Sequence, residues 1–112
     1  MMVQPREIRR YITDDGRIPF DDWFNSLRDS NAQDNINKRL IRVGLGNLGD
    51  YQPVGEGVCE LRIDYGPGYR LYFGQIGLTV VLLLIGGDKS TQARDIRQAK
   101  EYWKDYRSRE NA

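Results

Sequence analysis

The chain has 112 residues, enough to bury roughly 60–70% of its unfolded surface in one core without a metal or a disulfide. Its 17 basic and 16 acidic residues leave a net charge of +1, which excludes a protein that captures free polyanions through bulk charge alone. One cysteine, Cys59, excludes an internal disulfide and a cysteine metal cluster, and with no histidine any proton transfer must use other side chains.

Met1 to Arg10 is charged, so no signal peptide is expected. The longest apolar run falls far short of the roughly 20 residues that a membrane helix needs, so a cytoplasmic location is expected. No linker, internal repeat or low-complexity tract divides the chain, and residues 1–112 read as one domain. Arg6 to Ile12 alternates weakly and predicts a first strand, ended by the turn at Asp14-Asp15-Gly16. Phe20, Trp23, Phe24 and Leu27 then recur at helical spacing behind Pro19, a residue suited to a first turn. A second helix is expected to begin near Asn31, to turn Ile36, Leu40 and Val43 inward, and to end in the glycine-rich stretch Gly44 to Gly49. Its basic residues Lys38, Arg39 and Arg42 are expected to lie mostly outward, as a solvated face or a contact for ribosomal RNA.

Cys59 falls at a strand position and reads as a buried thiol. Around Gly66-Pro67-Gly68, two alternating runs predict a β-hairpin. If those three residues form the loop, Tyr65 faces Tyr69, Asp64 faces Arg70, and Arg62 faces Tyr72. Glu60, Arg62, Asp64, Arg70 and Tyr72 then share a polar face, while Leu61, Ile63, Leu71 and Phe73 share the core face. A one-residue slip would exchange the two faces. After a turn at Gly77, Thr79 to Ile85 is apolar on both sides, as in a central strand covered above and below. The loop Gly86-Gly87-Asp88-Lys89 is expected to return Lys89 to the level of Arg70. The last helix is expected to start near Ser90 or Thr91 and to cover the sheet with Ile96, Ala99, Trp103 and Tyr106, with Tyr102 to one side as a residue able to stack on a base.

Arginine stays charged and matches phosphate oxygens in pairs, so Arg62 and Arg70 suit the binding of an anion. Lys89 would add a third cation or act in proton transfer; cationic neighbours favour its neutral form, and Asp64 and Asp88 oppose that shift. An Asp64–Arg70 ion pair on a solvated face would account for the same charges without any ligand.

Five segments stand in order along the chain: Asp21-Asp22-Trp23 after Ile18-Pro19-Phe20; Gly46-Asn47-Leu48-Gly49-Asp50; Gly55-Glu56-Gly57-Val58 leading into Glu60-Leu61-Arg62; Gly66-Pro67-Gly68-Tyr69-Arg70; and Gly86-Gly87-Asp88-Lys89-Ser90-Thr91-Gln92. In these the whole chain resembles the RelE/ParE toxin superfamily, specifically its phage Gp49-like, HigB-type branch of addiction module killer proteins. The resemblance implies an α+β fold, a small antiparallel sheet of about four strands packed against N-terminal helices and a C-terminal helix. It implies a type II toxin that cleaves messenger RNA, usually on the ribosome, without metal or cofactor, and that a helix-turn-helix antitoxin neutralises.

Carried over by position, Arg70 matches the family's phosphate-stabilising arginine, Lys89 the basic residue after the last strand, and Arg62 a basic residue of the first hairpin strand. These three are the candidate catalytic residues, with Glu60, Tyr72 and Tyr102 as candidate RNA contacts. Glu60 stands where RelE carries a lysine and is a candidate base, and Asp95 stands roughly where RelE has a base-stacking tyrosine. Such cleavage needs a proton acceptor at the 2′-hydroxyl, cations around the phosphorane and a donor for the leaving 5′-oxygen. From Lys38 onward 12 basic residues stand against 9 acidic, an excess so small that productive RNA binding is expected to need the ribosome. Two other functions fit the same fold: a ParE-like inhibitor of DNA gyrase, and a catalytically silent protein that only binds its antitoxin.

Overall fold

Local signals start and stop most elements of the computed structural model, which describes residues 4–110. The first three residues of the charged Met1–Arg10 stretch and the last two of the 1–112 domain lie outside the described residues. The elements run β1 (Glu7–Arg10), α1 (Pro19–Ser26), α2 (Ser30–Gly44), β2 (Tyr51–Gly55), β3 (Val58–Ile63), β4 (Tyr69–Ile76), β5 (Val80–Asp88), a 3-10 turn (Lys89–Thr91) and α3 (Gln92–Glu110). Pro19 opens α1, followed by Asp21 and Asp22, whose charges favour the helix N-terminus. Asp29 caps α2 by accepting hydrogen bonds from the amides of Asn31 and Ala32 at 2.9 and 3.2 Å.

The architecture is α+β, with a mixed five-stranded sheet in the order β1-β5-β4-β3-β2. This corrects the expected antiparallel sheet of about four strands in two ways. First, β1 pairs with β5 in parallel, Glu7 opposite Val80. Second, Tyr51 to Gly55 forms an additional strand despite Pro53 and Gly55. It lies at the sheet edge, where a residue with no amide hydrogen is tolerated, and its register shifts between Pro53 and Gly55.

Helices cover both faces of the sheet. On one, Phe20 of α1 and Ile36, Leu40 and Val43 of α2 pack with Leu61, Leu71, Phe73, Val81 and Leu83. On the other, Ala99 and Trp103 of α3 pack with Val58, Tyr72, Leu82 and Leu84. The central strand β5 thus sends alternate residues into two separate cores, as its all-apolar run predicts. Cys59 is half-buried and free. No described helix is long and apolar enough to cross a membrane.

Two segments expected as loop or surface are instead built into the packing. Gly86, Gly87 and Asp88 continue β5 rather than leaving it. A Cβ on Gly86 would lie 2.2 Å from the Trp23 ring, and one on Gly87 would lie 1.8 Å from the Asp95 carboxylate, so the strand runs between two side chains that only glycine admits. Arg39 is 6% exposed, not outward, and donates to the carbonyls of Leu48 and Asp50 at 2.7 and 3.2 Å. Burial lowers its pKa from the ordinary arginine value. The loop after α2 folds over this arginine, which gives the Leu48 carbonyl a donor and the Asp50 carbonyl a second one beside the Arg62 amide.

Candidate functional site

The β3–β4 hairpin places the candidate residues, and its register differs from the expected one by two positions. Ile63 faces Tyr69, Arg62 faces Arg70, Leu61 faces Leu71 and Glu60 faces Tyr72. The loop is therefore Asp64 to Gly68, not Gly66 to Gly68. Two contacts inside it explain the extension: the Tyr65 amide bonds the Ile63 carbonyl at 2.9 Å, and the Tyr65 hydroxyl donates to Asp29 at 2.9 Å, which draws Tyr65 off the sheet. A two-residue slip conserves the faces, because side chains alternate with period two. Asp64 leaves the face, is exposed, and is not the partner of Arg70.

The corrected register sets two arginines directly opposite one another on adjacent strands, and Glu60 lies between them. Its Oε1 accepts from Arg62 Nε at 3.0 Å and stands 3.6 Å from Arg70 Nη1. Its Oε2 accepts from Gln92 Nε2 at 2.8 Å and from the Tyr72 hydroxyl at 3.2 Å. Gln52 of β2 adds a longer contact to Oε1 at 3.5 Å. Strands β2, β3 and β4 and helix α3 thus meet on one carboxylate. Burial pushes the Glu60 pKa upward, but the hydrogen bonds from Gln92 and Arg62, the charge of Arg70 and the bond from Tyr72 outweigh it, and the carboxyl is held below the usual range. Burial, the Glu60 charge and the shared hydrogen bond push the Tyr72 hydroxyl well above an ordinary tyrosine.

Exposure separates the members of this group. Glu60 and Tyr72, expected as direct RNA contacts, are 0% exposed, so neither presents its side chain at the surface. The Arg70 side chain is 12% exposed and its Nε is buried with no hydrogen-bond partner, whereas the Arg62 side chain is 39% exposed. Arg62 also borders a cavity of about 300 Å³ whose walls include Arg42, Asn47 and Asp64.

Lys89 follows directly on the end of β5, where Asp88 faces Tyr69. It is exposed, and its Cβ would meet a Cβ on Gly68 at 3.6 Å, which places it at the mouth of the hairpin next to Gly68. Asp88, rather than Ser90 or Thr91, caps the following turn: its carboxylate accepts from the Ser90 amide at 2.8 Å while Thr91 Oγ1 accepts from the Asp88 amide at 3.2 Å. Asp95 is 3% exposed, accepts from Thr91 Oγ1 and covers Gly87. Tyr102 stands apart from these residues, with its ring 4.9 Å from that of Tyr11 in the core beneath α3.

The structure therefore brings Arg62, Arg70, Glu60 and Tyr72 together, sets Lys89 at the same end of the sheet next to Gly68, and leaves Tyr102 elsewhere. Sequence reasoning overlooked Gln92 and Gln52. Gln92 closes the last of the five motif segments, but its amide acquires a role only once α3 lies over β3. Gln52 lies on a strand that reads as loop, so no signal pointed to it.

No family model matches the chain. A protein of Haemophilus influenzae described as an uncharacterized protein is 48% identical over 83 residues, covering 74% of this chain and 84% of the relative.

Proposed function

The chain belongs to the same family as that Haemophilus influenzae protein, and on the geometry of the arginine pair we propose that it is a RelE/ParE-type toxin, of the Gp49-like, HigB-type branch, that cleaves messenger RNA. The observation that carries this reading is the pairing of Arg62 with Arg70 on one sheet face, with Lys89 at the same end. The two guanidinium groups outnumber the one carboxylate, Glu60, that lies between them, which favours an anion. In phosphodiester cleavage through the 2′-hydroxyl, two negative charges collect on the phosphorane, and preset guanidinium groups lower the energy of that state without reorganising. Arg62 and Arg70 supply this stabilisation, and Lys89 adds the third charge.

The five motif segments support the family reading, and the folded chain joins two of them: the glycines of Gly86-Gly87 let β5 run beneath α1 and α3 and deliver Lys89 to the hairpin. The toxin would act in the cytoplasm on mRNA held by the ribosome and would be silenced by a helix-turn-helix antitoxin. Arg42 and Arg62 border one cavity together with Asp50 and Asp64, so the basic surface offered to an RNA backbone is small and the ribosome would contribute most of the affinity.

Expression in a growing culture tests this. Wild type, Arg62→Ala and Lys89→Ala are induced, growth is followed, and the 5′ ends of cellular mRNA are mapped. Arrest with new mRNA ends that disappear in both variants is expected. Arrest with intact mRNA would replace the nuclease reading with a gyrase target, and absence of arrest would favour a protein that only binds its antitoxin.

A further inference from the structure

We propose that Glu60 is a positioning residue, whose carboxylate holds Arg62 and Arg70 side by side as one two-pronged grip for a phosphate group. This rests on the anion-binding reading of the arginine pair. Arg62 and Arg70 are direct cross-strand partners, and like charges so placed repel. One oxygen of Glu60 answers both: Oε1 is 3.0 Å from Arg62 Nε and 3.6 Å from Arg70 Nη1. The other oxygen is engaged from the opposite side by Gln92 Nε2 at 2.8 Å and the Tyr72 hydroxyl at 3.2 Å. The carboxylate is thus turned by α3 and β4, and its free edge is presented to the arginines.

Two features separate positioning from catalysis. Glu60 is 0% exposed, so no substrate atom reaches it, and a proton accepted there would come from a neighbouring side chain rather than from the 2′-hydroxyl. The bond from Arg62 through Nε leaves the two terminal amino groups of that guanidinium for a phosphate, the paired geometry that arginine and phosphate favour. Gln92 extends the arrangement to α3: the first residue of that helix, by holding Oε2, sets the edge that faces the arginines.

The test reads the arginines without requiring any cleavage. Protein labelled with nitrogen-15 in arginine is titrated with inorganic phosphate, and the Nε–H signals of Arg62 and Arg70 are followed in wild type, Glu60→Gln and Tyr72→Phe, with the denaturant midpoint of each recorded. In wild type, a slowly exchanging Arg62 Nε–H and phosphate-dependent shifts of both signals are expected. In Glu60→Gln, phosphate affinity should fall about tenfold, the size typical when a group that orients a ligand-binding side chain is lost. Tyr72→Phe keeps the ring and the charge of Glu60, serves if Glu60→Gln fails to fold, and should lower the affinity by a smaller factor. Unchanged phosphate affinity and unchanged Arg62 exchange in either folded variant would overturn the proposal. A wild type that shows the phosphate shifts and their loss in the variants, yet cleaves no mRNA, would leave the positioning role standing and remove the nuclease reading.

Discussion

Arg62 and Arg70 stand opposite each other, yet their surroundings make them unequal to substitution. Arg70 is nearly covered, with an unpartnered buried Nε and the Glu60 carboxylate 3.6 Å away; Arg62 has more than three times the side-chain exposure. Truncating Arg70 opens a space next to a fully buried anion and removes one of its two cationic neighbours. The expected cost of Arg70→Ala is about 1–3 kcal/mol, the range for leaving a buried polar group short of a partner. Arg62→Ala should cost less, because water reaches the gap it leaves. Urea midpoints of the two variants check this order, and a larger fall in Arg62→Ala would contradict it. For the same reason Arg62→Ala and Lys89→Ala are the variants suited to testing activity, since Arg70→Ala changes stability along with function.

Among the elements, β5 is set by what lies above and below it. Trp23 of α1 covers Gly86 from one face and Asp95 of α3 covers Gly87 from the other. A methyl group on Gly86 would overlap the half-buried indole of Trp23, so Gly86→Ala should lose about 1–3 kcal/mol, the typical cost of overpacking. Denaturant unfolding measures it, and a change within experimental error would mean that α1 can lift off the strand. These glycines show what can and cannot be read from residues in order. Gly86-Gly87 looks like a loop because composition records the absent side chain and not the neighbour that requires its absence. Tyr51 to Gly55 looks like a loop because Pro53 and Gly55 are breakers everywhere except at an edge or a bulge. The alternating runs were legible: the hairpin and both of its faces, the central strand and the stripes of the helices follow from periodicity alone. The register was not, since it depends on Tyr65 reaching Asp29, a contact between segments far apart in the chain. That two-residue difference conserved the faces but exchanged the partner of Arg70, turning an expected Asp64 ion pair into an arginine pair over Glu60.

Across the whole molecule, ionisable groups tie the layers together at both ends of the pH scale. On the acid side, Glu60 joins β2, β3, β4 and α3, and its pKa is held below the ordinary glutamate value. A group depressed on folding binds fewer protons in the native state, so its stabilisation is complete above its unfolded pKa and is lost as pH falls through the folded one. The unfolding midpoint should therefore decline as pH drops below about 5, the upper edge of the range in which carboxylates linked to folding take up protons. On the alkaline side, Tyr11 of the segment after β1 donates to Asp105 of α3, and burial followed by that bond and the charge of Asp105 raises its pKa to about 12. The sign is then reversed: the native state retains a proton that the unfolded chain releases near pH ~10, the ordinary tyrosine value, so stability is complete below that point and is lost as pH rises toward the folded value. Tyr72 acts in the same direction from within the Glu60 cluster. Replacing Tyr11 with phenylalanine removes one of these linked protons, so the alkaline decline of Tyr11→Phe should be shallower than that of wild type; it also removes the hydrogen bond that chiefly holds the Asp105 carboxyl below its ordinary value, so the acid limb should become shallower too. Thermal unfolding followed by circular dichroism across the pH range separates the two limbs. Equal alkaline slopes in both proteins would mean that the Tyr11–Asp105 bond does not hold α3 against the edge of the sheet, and that α3 is fastened by the apolar packing of Ala99 and Trp103.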